Sequence, residues 1–384
     1  MRPGAGQPAP GLTVWRGAGK AHVPCAVSRW PRRPAVACIL LAAACYGLAA
    51  HAVEPGAPPA ARRLVGGYYY PWYTPDRWTR EPVTDTPRLG WYSSDDRRVA
   101  DEHVRWARQA DIDFFLVSWL SADGHEGRNL SRTLLPAIEA ADYRFAILYE
   151  TPLALGTPAG APIDLTAKDA SGRSAGDRMI AHFDQLADAF LAHPRYLRLA
   201  GRPVVVVYLV RDMINADATL TTIRARLAAR GIDPHLVADM VYWEPPDRWD
   251  WPFLARHFRT VTAYNMYYRP DFLAAVRGQF EAVDRLARGH GMRLVPNVMP
   301  GYDDTPLRGV GRVTINRRRG DFYRDCFAVA APFVDDDQPM LLITSFNEWH
   351  EGTELEPSTE YGEKYLELTR ELAAPLRGRA SRSP

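Results

Sequence analysis

The chain has 384 residues, of which 47% are apolar and 11% aromatic, with a formal net charge of +2. That much apolar material excludes a largely disordered chain and suffices for one large enzyme-sized domain or two smaller ones. The charge is unevenly placed: Arg2, Arg16, Lys20, Arg29, Arg32 and Arg33 lie in the first fifty residues, which contain no acid, and removing that segment takes the net charge from +2 to −4. The basicity belongs to the leader, so nothing argues for a nucleic-acid partner.

An apolar stretch from Ala35 to Ala50 follows those cations and ends in the small-x-small sequence Ala50-His51-Ala52. It is shorter than the roughly 20 residues of a membrane span. Residues 1–52 therefore read as a signal peptide of a secreted or periplasmic protein. An uncleaved anchor is the alternative and the only route to a membrane. Residues 53–63, rich in proline and glycine, read as a linker, residues 64–376 as one folded domain, and residues 377–384 as a C-terminal tail. Cys25, Cys38 and Cys45 leave with the leader, so Cys326 stands alone and neither an internal disulfide nor a cysteine metal site is available. Its helical setting suits a small core residue.

Beyond the linker, short β-rich apolar runs alternate with amphipathic segments. The runs are Leu64–Tyr70, Phe114–Trp119, Phe145–Tyr149, Val204–Tyr208, Leu236–Tyr242, Thr260–Tyr264, Leu294–Val298 and Leu341–Ser345. Helical periodicity covers about 95–110, 128–142, 178–193, 216–230, 271–290, 320–331 and 360–374, with a weak helix at Pro252–Arg259. Eight β and about eight α segments in alternation predict a single (β/α)8 TIM barrel with extended βα loops. A dinucleotide-binding sheet is disfavoured because Tyr68-Tyr-Tyr-Pro-Trp-Tyr73, with no glycine-rich loop, follows the first strand.

Barrel enzymes place their sites at the C-terminal ends of the strands. Here those ends carry Tyr70 and Trp72, Trp119, Glu150, Tyr208, Trp243 and Glu244, Tyr264 and Asn265, Asn297 and Tyr302, then Asn347 and Glu348. Aromatic faces stack on sugar rings while amides and carboxylates bind hydroxyls, so the mixture reads as a carbohydrate cleft. The scattered histidines give no metal pattern and there is no Gly-x-Ser-x-Gly elbow. Arg317-Arg-Arg319 reads as a solvated helix start, with contact to an anionic substrate as the alternative. After the eighth strand, Glu348-Trp-His-Glu351 places two carboxylates three residues apart among bulky rings. Glycoside hydrolysis, which ordinarily needs one protonated and one ionised carboxyl, is the chemistry such a pair serves. Glu150 is the best third acid, whereas Glu354 and Glu356 read as outer or surface residues.

The run Thr344-Ser-Phe-Asn-Glu-Trp-His-Glu-Gly-Thr353 resembles the signature of glycoside hydrolase family 99, the endo-α-1,2-mannosidases and mannanases. Leu89-Gly-Trp-Tyr-Ser-Ser94, Val117-Ser-Trp119, His193-Pro-Arg-Tyr196, Pro300-Gly-Tyr-Asp-Asp-Thr305 and Asn316-Arg317 ahead of Tyr323 follow the family's order across residues 66–358. The resemblance implies a (β/α)8 barrel and a retaining reaction without a protein nucleophile. Glu348 would deprotonate the substrate's 2-hydroxyl, which attacks C1 to give a 1,2-anhydro sugar, and Glu351 would protonate the leaving group. It further implies that Glu150, Trp119, Tyr264 and Tyr302 line sugar subsites. Tyr70, Trp72, Asn347 and His350 complete the expected substrate-binding set, with an α-mannoside oligosaccharide or polysaccharide as substrate, no cofactor or metal, and a monomer. After Tyr73 this chain departs from the family's mannosidases, with Thr74-Pro-Asp-Arg-Trp-Thr79 in place of a Gly-Asn-Pro turn. A non-hydrolytic glycan-binding barrel and a hydrolase of another glycan are the competing readings.

Overall fold

The computed structural model describes residues 62–378 apart from 159, 244, 265–268 and 270. The predicted signal peptide, most of the linker, the tail beyond residue 378, and the rim residues Glu244 and Asn265 lie outside the described residues. Among the described residues, eight apolar runs form parallel strands: β1 Leu64–Tyr69, β2 Phe114–Trp119, β3 Phe145–Tyr149, β4 Arg202–Val207, β5 His235–Asp239, β6 Thr260–Thr262, β7 in two pieces (Arg293–Leu294 and Asn297–Val298), and β8 Met340–Ile343. Each neighbours the next in chain order and β8 pairs with β1, Leu64 opposite Met340. The main helices that follow them are α1 Arg97–Gln109, α2 from His125–Asn129 through a π turn at Leu130–Leu134 into Leu135–Ala140, α3 Ala175–Ala189, α4 Asp217–Ala229, α5 Trp251–His257, α6 Phe272–Gly289, α7 Asp321–Ala330 and α8 Lys364–Gly378, with shorter helices in the loops at Pro75–Arg80, Thr151–Leu155 and Thr305–Arg308. The weak helix of the sequence pattern is thus α5, and α8 runs two residues past the predicted domain end.

The strands read as continuous apolar runs because both faces are buried. Phe115, Val117, Ile147, Tyr149 and Val205 face the helices, while Leu116, Ala146, Leu148, Val206 and Val237 fill the barrel interior. Gly66 is part of that interior: a β-carbon there would lie 2.2 Å from the Phe114 ring, so no larger residue fits the layer as it stands. The predicted seventh strand is one chain segment with a change of partner in the middle. Arg293–Leu294 pairs with β6, Asn297–Val298 pairs with β8, and Pro296, which has no N–H to give a ladder, sits between them. Its carbonyl accepts from Leu342 N–H (3.0 Å), so the barrel still closes.

Capping sets the helix starts. Ser174 and Asp177 form a reciprocal capping box on α3, and Asp96 accepts from Arg98 N–H at the start of α1. The π turn in α2 comes just before Pro136, which supplies no helical N–H.

Candidate active site

Beyond β8 the chain folds back on itself between Ser345 and Glu356. Ser345 N–H donates to Thr353 O (2.9 Å), and Leu355 and Glu356 N–H donate to Phe346 O (3.0 and 2.8 Å). Gly352, at φ +58°, makes the left-handed turn after Glu351, where a β-carbon would lie 2.9 Å from the Asp303 carbonyl. This hairpin aims both glutamates of the Glu-Trp-His-Glu motif at the barrel mouth.

Glu348 is 4% exposed. Its backbone N–H donates to Ser345 Oγ (2.7 Å), and its Oε1 accepts from the His350 N–H and lies beside His350 Nδ1, both at 3.2 Å. Glu351 accepts at Oε2 from the Tyr264 hydroxyl (3.0 Å), which in turn accepts from the Tyr70 hydroxyl (3.1 Å). Burial, and after it the negative charge of Glu348, push Glu351 up to about 8, against the pull of Arg308 and the Tyr264 hydrogen bond. Two carboxyls of one motif are thereby set apart: one sits against an imidazole, the other holds its proton at neutral pH. Tyr70 and Tyr264 are raised well above the usual tyrosine range by burial and the surrounding carboxylates, so their hydroxyls remain donors.

Glu150, at the end of β3, faces the same interior and accepts from Ser118 Oγ (3.0 Å). Burial pushes it up to about 8, with Ser118 opposing and the charges of Asp239, Glu348 and Glu351 adding to the rise. Asp239 was not singled out in the sequence pattern because β5 was expected to run to Tyr242. It ends instead at Asp239, whose Oδ1 accepts from Val241 and Tyr264 N–H (2.8 and 3.0 Å) and whose Oδ2 accepts from the Tyr68 hydroxyl (2.8 Å). Burial raises Asp239 to about 6. It fixes the backbone of Tyr264, and through it the hydroxyl on Glu351.

Tyr70, Glu150, Tyr264, Glu348, His350 and Glu351 are thus brought together, and Trp72 joins them at the edge. The Trp72 ring stacks on Tyr70 at 4.5 Å, and the Arg77 guanidinium lies 4.5 Å from its centre. Other expected residues are placed elsewhere. Trp119 points away from the cleft, into the layer between sheet and helices beside His182, because the inward position at that level of β2 belongs to Ser118. Trp243 likewise packs edge-on against Phe280 of α6. Asn347 is fully buried and clamps Tyr70: its Oδ1 accepts from Tyr70 N–H (2.8 Å) and its Nδ2 donates to Tyr70 O (3.0 Å). Tyr302 is 1% exposed and its hydroxyl donates to Asp304 (2.7 Å).

Glu354 and Glu356, expected in an outer layer or at the surface, are buried. Glu356 accepts from Tyr92 and Trp349 Nε1 (2.8 Å each) and lies 3.1 Å from His103 of α1. Glu354 pairs with Arg317, which also donates to the Gly352 and Glu354 carbonyls (3.0 and 2.9 Å). Arg317 is therefore a buried strut of the hairpin and not part of a solvated helix start. Among the described residues no group of three or more His, Cys, Asp or Glu is arranged to hold a metal ion.

A parallel eight-stranded barrel with a buried and a mostly buried carboxyl after its last strand, set in an aromatic mouth, is the arrangement of the glycoside hydrolase class. The chain belongs to glycosyl hydrolase family 99, whose model matches residues 82–369. It is 28% identical over 281 residues to glycoprotein endo-alpha-1,2-mannosidase of Rattus norvegicus (70% of this chain, 56% of that protein). It is 26% identical over 318 residues to a glycoprotein endo-alpha-1,2-mannosidase-like protein of Homo sapiens (75% and 63%). The chain thus spans less than two thirds of the length of these relatives. The fold is similar to that of the GH99 endo-alpha-mannosidase from Bacteroides thetaiotaomicron, with a TM-score of 0.64 at 19% identity over 82% of this chain and 97% of that one.

Proposed function

We propose that this protein hydrolyses α-mannosidic linkages in an oligosaccharide or polysaccharide, with retention, through a 1,2-anhydro sugar. The observation that carries the reading is the unequal pair: Glu351 holds its proton up to about pH 8 while Glu348, in the same hairpin, lies against His350. In the first step Glu348 takes the proton of the sugar's 2-hydroxyl, O2 attacks C1, and the bond from C1 to the leaving oxygen breaks as Glu351 protonates that oxygen. In the second, Glu351, now a carboxylate, takes a proton from water. The water oxygen opens the three-membered ring at C1 and Glu348 returns its proton to O2. Two inversions give retention. The attack needs a 2-hydroxyl trans to the leaving group, the axial arrangement of an α-mannoside. The rat and human relatives, a glycoprotein endo-alpha-1,2-mannosidase and a protein like it, support the same linkage, α-1,2 and endo.

Tyr70, Trp72, Glu150 and Tyr264 surround the pair and serve as the sugar-binding groups of this reading, and the leader of residues 1–52 would deliver a monomeric enzyme to the periplasm or outside the cell. The test is product release from an α-1,2-linked mannooligosaccharide by the wild type and by Glu348→Gln and Glu351→Gln. Each substitution is expected to cost on the order of 100- to 10,000-fold in rate. Full activity in either variant would overturn its assigned role.

A further inference from the structure

His350 is buried at 4% exposure, with an acid near each ring nitrogen. Nδ1 is within hydrogen-bond reach of Glu348 Oε1 at 3.2 Å, whereas Nε2 lies 3.4 Å from Glu81 Oε2, at ion-pair distance without hydrogen-bond geometry. The ring is held flat by Tyr73, stacked at 5.4 Å and 23°, with Trp78 behind it at 6.3 Å. Tyr73 is itself pinned to the hairpin, its hydroxyl donating to Asn347 O (2.9 Å) and accepting from Trp349 N–H (3.0 Å). Glu81 closes the short helix Pro75–Arg80 and accepts from Arg77 Nε (2.8 Å). That helix lies within the stretch where the sequence departs from the family's mannosidases. The groups facing the imidazole are therefore Glu348 from the hairpin, with Glu81, Arg77 and Tyr73 from the segment after β1.

We infer that Glu81 and His350 are positioning residues for Glu348, forming a chain Arg77–Glu81–His350–Glu348 that orients the carboxylate and places a positive ring beside it. The argument is one of proton count. A neutral imidazole has one N–H and one lone pair, so one of two facing carboxylates would meet a lone pair. Both contacts are attractive only when both nitrogens are protonated. The imidazolium then lies between two anions while Arg77 balances the outer one. Among the described residues, the cation paired with Glu351 is Arg308, at 3.9 Å. The chain thus explains why two acids three residues apart take opposite roles, and in this it rests on the hydrolytic reading above.

The experiment is nitrogen-15 NMR of histidine-labelled full-length protein, with His350 assigned from the spectrum that a His350→Asn variant lacks. In the wild type at pH 7 both His350 nitrogens are expected to carry protons, and in Glu81→Gln one is lost. With the mannooligosaccharide, Glu81→Gln should reduce kcat about tenfold with KM nearly unchanged. A singly protonated His350 in the wild type would overturn the inference and requires no variant to fold. So would a Glu81→Gln protein with the spectrum and kcat of the wild type. If the wild type cleaves no glycan yet shows the doubly protonated ring and its loss in Glu81→Gln, the chain stands and the proposed reaction falls.

Discussion

The proton on Glu351 can be moved by removing one neighbouring charge. Arg308 Nη2 lies 3.9 Å from Glu351 Oε1, and the arginine side chain is 44% exposed. At that separation two unit charges interact by about 1 kcal/mol in water, and solvent contact keeps this pair near that lower limit. The arginine favours the carboxylate, so Arg308→Ala should raise the alkaline midpoint of kcat/KM, expected at about 8 in the wild type. About 1 kcal/mol corresponds to roughly 0.8 pH unit, which gives a midpoint near 9 and about fourfold more activity than wild type at pH 9. The plateau below pH 7 should not change. The assay is product release from an α-1,2-mannooligosaccharide between pH 5 and 10. A midpoint that stays in place or moves down would show that the proton on Glu351 does not govern the alkaline limb.

Asn347→Ala removes both hydrogen bonds to the buried Tyr70 backbone and should cost about 2–5 kcal/mol in urea unfolding; a loss below about 1 kcal/mol would contradict the clamp. Gly66→Ala drives a methyl into the Phe114 ring and should cost about 3 kcal/mol, partly recovered with Phe114→Leu in the same chain. Stability should also depend on pH in a definite direction. Glu150 and Glu351 titrate at about 8 in the folded protein but near 4.5 when unfolded, so between these values the folded state binds more protons. The thermal midpoint should therefore fall from pH 5.5 to 8.5, and fall less in Glu150→Gln. Equal slopes for the two proteins would reject the buried-proton account.

Much of this architecture was visible in the sequence because alternating strands and helices leave a regular pattern, and because acids placed after an apolar run stand out. Which way a side chain points was not. In β2 every position is buried and Ser118 is the one polar residue, so Phe114 through Trp119 show no alternation to reveal that Ser118 faces the cleft and Trp119 the helices. Partners far apart in the chain were equally hidden: His103 and Glu356, or Arg317 and Glu354, look solvated until the fold brings them together. Asp239 carries no signal in the sequence because the apolar run continues through Met240–Tyr242, whereas the strand stops where the carboxylate begins to bind backbone N–H groups.

The divided seventh strand leaves closure of the barrel to the last part of the chain. Without β8, the second half of β7 has no ladder to join and β1 has an unpaired edge. The strand that removes those edges leads through Ser345 into the hairpin of Glu348 and Glu351, so the segment that closes the barrel also carries the two acids. On the proposed reaction, a chain truncated before β8 is expected to release no product from an α-1,2-mannooligosaccharide, so the appearance of cleavage would report that the ring of strands has closed.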